Sequence, residues 1–208
     1  MRVVNNLTWL VLDRTVEKLR QAGVSASEAP ALREPKRVWS YGRLLTEVGR
    51  AGNALRSLGL VPGERVALWM HDGVELAAAF LGAARVGLCP VPLDTTLRPE
   101  ELGQALRAAG AAAVVTHGDL AETLALVARR VPTLRRLLCL GGGLVALGPQ
   151  SDFGALCADA DPRCEPVALP LDRDLGEIPA FLLFETGPDG RQHGRAFPVV
   201  ATPVVVAS

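Results

Sequence analysis

The chain has 208 residues, 49% hydrophobic and 21% charged, a balance that suits a folded globular protein with a sizeable core and excludes a disordered one. Its 22 basic and 22 acidic side chains cancel at neutral pH, so there is no basic excess for nucleic acid. No apolar run is long enough for a membrane span, and the four cysteines form neither a C-x-x-C pair nor a zinc pattern, so the expectation is a cytoplasmic protein with no membrane partner, no metal site and reduced thiols.

Leu7 to Leu19 has helical spacing and ends near Gly23. Residues 24 to 36 read as a loop around a short extended piece, and Arg37 to Trp39 as a strand. Ser40 then suits the N-cap of a long helix whose apolar face carries Leu44, Leu45, Val48, Ala51, Leu55 and Leu58. Val61-Pro62-Gly63-Glu64 is a type II turn pattern. Arg65 to Met70 reads as a strand, and Val74 to Val86 as a buried, alanine-rich helix. Leu88 to Leu93 is a strand interrupted by Pro90 and Pro92, which places it at an edge.

Pro99, Glu100 and Glu101 suit the first turn of a helix that ends at Gly110. Ala111 to Thr116 and Leu137 to Leu140 read as strands, with a helix over Leu120 to Arg130 between them. Strand and helix alternating at short spacing predict an α/β fold with a mostly parallel, twisted sheet flanked by helices. The predicted organisation is an α/β lobe over 1–140, a surface connection over 141–177 with a short helix near Phe153 to Ala158, and a final segment over 178–208. That last segment would hold a buried strand over Ala180 to Phe184, a loop and an apolar tail.

Several segments, in order, resemble the amino-terminal part of the adenylate-forming (AMP-binding) acyl- and aryl-CoA ligases. Trp39-Ser40-Tyr41-Gly42-Arg43-Leu44 is similar to the start of that family's first long helix. Asn53 to Val66 resembles its "NALRslGvkpGDrV" segment, and Glu75 to Gly82 with Gly87 to Leu93 resembles "E-x-x-x-a-f-l-G … G-a-v-p-v-P-l". Asn5, Asp13 and Arg14 fit the benzoate-CoA ligase branch. Each piece is weak alone; their order and spacing are specific. The resemblance implies ATP and Mg²⁺ as reaction partners. A carboxylate would attack the α-phosphate of ATP, and the thiol of CoA would then displace AMP. Because that chemistry brings a carboxylate up to a polyanion, the family meets it with a phosphate loop, a metal ion and lysines.

The loop after the strand Phe181 to Phe184 departs from the family's "[YF]-T-S-G-[ST]-T-G-x-P-K-G" pattern. Thr186, Gly187, Gly190, His193 and Gly194 are the candidate nucleotide-binding residues that the resemblance supplies, Thr186 at a serine position and His193 at the lysine position. Glu185 replaces a hydroxyl, Pro188 removes a backbone N–H, and Asp189 adds a second acidic group. Unit charges about 4 Å apart repel by about 4 kcal/mol at an effective dielectric near 20. Arg191, Arg195 or a metal held by Asp189 would offset part of that. The only lysines are Lys18 and Lys36, so no residue matches the family's late catalytic lysine, and no catalytic residue is assigned.

Gly141 to Gly143 opens no G-x-G-x-x-G helix and reads as loop. His71 and His117 each follow a strand end and read as surface residues, and Cys89 as an inert thiol in an apolar strand. The expectation is a truncated ligase-like chain, inactive alone. Its rivals are a split-enzyme or pseudoenzyme lobe whose apolar tail is covered by a protein partner, and a remnant without function.

Overall fold

The computed structural model describes residues 6–35, 37–141, 151–167, 179–188 and 192–198. A helical stretch with π-type turns over Trp9–Asp13 runs into α1 (Arg14–Gln21). A hairpin of β1 (Pro30–Glu34) and β2 (Arg37–Ser40) follows, then α2 (Tyr41–Ser57). The Ser40 side chain accepts from the Arg43 N–H at 3.3 Å and fixes where α2 begins.

The central unit is β3 (Arg65–Trp69), α3 (Val74–Arg85), β4 (Cys89–Pro92), α4 (Pro99–Ala109), β5 (Ala113–His117), α5 (Ala121–Ala128) and β6 (Arg136–Leu140). A two-residue strand, β7 (Ser151–Asp152), leads into α6 (Phe153–Asp159). A separate antiparallel pair, β8 (Pro179–Thr186) and β9 (Gln192–Pro198), completes the described chain. No helix among the described residues is long and apolar enough to cross a membrane.

The five-stranded sheet is parallel throughout, in the order β4-β3-β5-β6-β7. Alternate residues of each strand enter opposite faces. Val66, Leu68, Met70, Ala113, Val115 and Leu138 pack under α2, α3 and α6, whereas Ala67, Trp69 and Val114 pack under α4 and α5. The turn before β3 is the one the Pro-Gly pair predicts: Glu64 N–H donates to Val61 C=O at 3.1 Å, with Gly63 at φ 90°.

β4 stands at the sheet's edge for a reason visible in its bonds. Cys89 N–H donates to Glu64 C=O at 2.9 Å and Leu93 N–H to Leu68 C=O at 3.0 Å. Pro90 and Pro92 alternate with these residues, so the positions lacking an N–H fall on the outer side. The β8–β9 pair lies against that outer side and against α4.

Helices α2 and α3 meet almost backbone to backbone. A Cβ built on Gly82 would lie 2.8 Å from Ala51 Cβ, 2.8 Å from Gly52 N and 3.0 Å from Val48 O. A Cβ on Gly49 would collide with the carbonyl of Pro162, in the segment that follows α6. Replacing Gly82 by alanine is therefore expected to lower stability by about 1–3 kcal/mol, the usual cost of overpacking a tight contact. The urea midpoint of Gly82→Ala should fall accordingly.

Candidate functional site

β8 and β9 pair antiparallel as a hairpin, with residues 187–191 between them in sequence. Phe184 pairs with Gly194, Glu185 with His193 and Thr186 with Gln192. The candidate residues are thus distributed as follows. Thr186 ends β8, Gly187 follows it, and His193 and Gly194 lie inside β9 rather than in the loop. Gly190 lies outside the described residues.

The position of Gly194 has a packing reason. A Cβ there would lie 2.9 Å from Phe184 Cζ, so the aromatic ring covers the bare glycine across the strand pair. Phe184 in turn packs against the core under α4 and α5. Glu185 and His193 are both exposed. Opposed residues of a strand pair share a face, so the acid and the imidazole stand side by side at the mouth of the turn.

Beside the hairpin lies a cleft of about 380 Å³, and Asp94, Thr96, Glu101, Phe184, Glu185 and Gln192 contribute to its walls. Asp94 accepts from both the backbone N–H and the hydroxyl of Thr96 at 2.8 Å, which holds its carboxyl below the usual aspartate range. Glu101 is likewise lowered, by the Arg98 guanidinium at 2.6 Å and the Arg98 N–H at 2.9 Å. Both are ionised at neutral pH.

Three carboxylates therefore edge the cleft, and among the described residues that line it none is cationic. Arg98 neutralises Glu101, and among the described residues neither Asp94 nor Glu185 is ion-paired to an arginine or a lysine. Because Glu185 is exposed, its repulsion is closer to the roughly 1 kcal/mol of unit charges 4 Å apart in water than to the buried-site figure.

Asp94 and Glu101 were not recognisable from sequence as part of this site. They lie some ninety residues before the loop, and only the packing of the hairpin beside β4 and α4 brings them to it. A second concavity of about 640 Å³ lies over α2, α3 and α6, with the Arg43 guanidinium 3.8 Å above the Trp39 ring; no described residue of β8 or β9 lines it.

Two residues that read as isolated surface histidines come together. His71, just past β3, and His117, at the end of β5, stack with ring centroids 5.2 Å apart. His71 Nε2 lies 2.7 Å from Asp119 Oδ2. Near-parallel rings do not aim their lone pairs at one point, and no group of three or more metal-ligating side chains occurs among the described residues. Burial pushes the Cys89 thiol up to about 11 and the Cys157 thiol up to about 12, so neither is a thiolate at neutral pH.

The AMP-binding enzyme family model matches residues 19–165, most of the chain. The chain belongs to the AMP-binding enzyme family. It is 31% identical over 157 residues to the benzoate–CoA ligase of Thauera aromatica, a match that covers 75% of this chain and 28% of that one. Among solved structures, a benzoate CoA ligase from Burkholderia xenovorans LB400 superposes with a TM-score of 0.71 at 27% identity, over 93% of this chain and 34% of that one.

The anthranilate CoA ligase AuaEII, solved with anthranoyl-AMP, superposes with a TM-score of 0.81 at 22% identity, which speaks for the fold. It is covered over 36% of its length and this chain over 96%. The chain thus spans about a third or less of the relatives it matches. These matches agree with an α/β lobe of the acyl- and aryl-CoA ligase type.

The Phe184–Gly194 contact is expected to hold the hairpin in register. In Gly194→Val the ring must move, and hydrogen-exchange protection should fall across β8 and β9 while β3 and β5 stay protected. Adding Phe184→Ala should recover part of the loss.

Proposed function

We propose that this AMP-binding family chain is an acyl- or aryl-CoA ligase-like lobe that does not activate carboxylates with ATP on its own. The observation that carries this reading is the charge of the cleft beside the hairpin: Asp94, Glu101 and Glu185 line it, and among its described lining residues none is cationic. Sequence adds Pro188 and Asp189 between β8 and β9 and histidine at the lysine position. In the family reaction, ATP with Mg²⁺ would supply the adenylyl group of the acyl-adenylate, with pyrophosphate leaving, and the described residues of the cleft offer no positive charge to hold the triphosphate.

Calorimetric titration with Mg-ATP tests the reading. The wild-type chain should give no binding heat at micromolar concentrations, and ATP–pyrophosphate exchange with a panel of carboxylic acids should be absent. The double variant Glu185→Ser with His193→Lys removes one negative charge and adds a positive one on the same face of the hairpin. It should gain measurable affinity. Micromolar binding by the wild type would overturn the proposal.

A second reading, in which the lobe docks on a partner chain, is supported by the β9 edge. Among the described residues β9 pairs with no strand other than β8, and His193 to Ala196 are exposed. Such an edge is a template for a further strand. Light scattering showing only monomer, alone and mixed with a full-length relative, would count against it.

A further inference from the structure

The order β4-β3-β5-β6-β7 reverses direction between β3 and β5, because the chain goes from β3 to β4 on one side and then crosses to β5 on the other. The carboxyl ends of these two strands part at such a point and leave a crevice. The last ladder pair there is Trp69 with Thr116. One further bond closes the crevice, and a side chain makes it: the His71 backbone N–H donates to His117 Nδ1 at 3.2 Å.

That bond fixes the tautomer of the His117 ring. His117 can accept only with Nδ1 bare, so its ring is neutral with the proton on Nε2. His71 sets its Nε2 against Asp119 Oδ2 at 2.7 Å and stacks on His117 with centroids 5.2 Å apart. We propose that His117 is a pH-sensitive latch: neutral, it ties the segment between β3 and α3 to the end of β5, and protonated, it lets that segment go.

Protonation at Nδ1 turns the acceptor into a donor facing another N–H, so the bond must break. It also puts a positive charge against the His71 ring. The released segment, residues 70–73, carries the start of α3, where the Val74 N–H is held by Glu34 Oε1 at 3.1 Å.

The groups around His117 set the balance. Burial and then His71 hold its ring below the ordinary histidine range, while Asp119 and Glu75 oppose them. Glu75 is shared with Arg37 at 3.8 Å. From β6 the residue opposite is Leu140, which carries no charge, and the neighbouring Cys139 has its thiol kept protonated by burial.

The sign follows from linkage. The folded protein binds this proton less readily than the unfolded chain, whose histidines titrate near 6.5. Stability contributed by the latch is complete above that pH and is lost as pH falls through the lower folded value.

The test is amide hydrogen exchange at His71, followed by NMR on the whole chain from about pH 7.5 to about pH 5 and corrected for intrinsic rates. Protection should drop at the acid end by up to about tenfold per pH unit, the signature of one linked proton. In His117→Asn the amide oxygen keeps an acceptor without a titrating group, and the acid-dependent drop should vanish. The same drop in His117→Asn, or unchanged protection in the wild type, would overturn the proposal. A ring measurement does not depend on the variant folding: long-range ¹⁵N–¹H correlation must show His117 protonated on Nε2 at neutral pH. A proton on Nδ1 would refute the latch outright.

Discussion

Helices α2 and α3 approach backbone to backbone at Gly52 and Gly82, Gly49 of α2 meets the Pro162 carbonyl after α6, and the remaining layers are arranged around these contacts. Because the two backbones are so close, one face of the sheet can be roofed by two helices and still admit α6 and the segment after it. That segment is bound by polar contacts as well. Asn53 donates to the carbonyls of Asp161 and Arg163 at 2.7 and 3.0 Å, and Arg50 donates to carbonyls at the end of α6. A longer side chain at any of the three glycines would have to displace backbone, which cannot retreat as a side-chain tip does.

A polar knot closes the other end of α3. Arg85 is 6% exposed and grips Asp13 with two bonds, at 2.7 and 2.9 Å, while its Nε donates to the Cys164 carbonyl. Asn6, fully buried, donates to the carbonyls of Ala84, Arg85 and Val167. Three stretches far apart in sequence are thereby joined at one helix end, and the carbonyls that α3 leaves unpaired are satisfied. Removing either member of the Arg85–Asp13 pair would strand a buried charge, which is costlier than the pair is favourable.

The ligase reading rests on family membership and on the cleft's charge, and these pull in different directions. Membership says which reaction the fold elsewhere supports. The cleft beside the β8–β9 hairpin is edged by carboxylates in this chain. Only residue-level chemistry decides between them, because a shared fold does not carry its reaction with it.

Much of the lobe was legible in the sequence. The Ser40 cap, the Val61–Glu64 turn, the Pro99 helix start and the edge placement of β4 are local signals. Each depends on a single residue's φ, hydroxyl or missing N–H, and the structure keeps all of them. The family motifs likewise stand in linear order. By contrast, His193 and Gly194 read as loop because a short pattern containing glycine and charge looks like a turn; pairing with β8 and the Phe184 ring over Gly194 make them strand. Asp94 and Glu101 joined the candidate site only through the packing of the β8–β9 hairpin beside β4 and α4, and His71 met His117 only through the crossing of the chain from β4 to β5. Caps and turns are decided within a few residues, so the chain's order records them. Meetings across the sheet are decided by strand order and close helix packing, which no local stretch of sequence encodes.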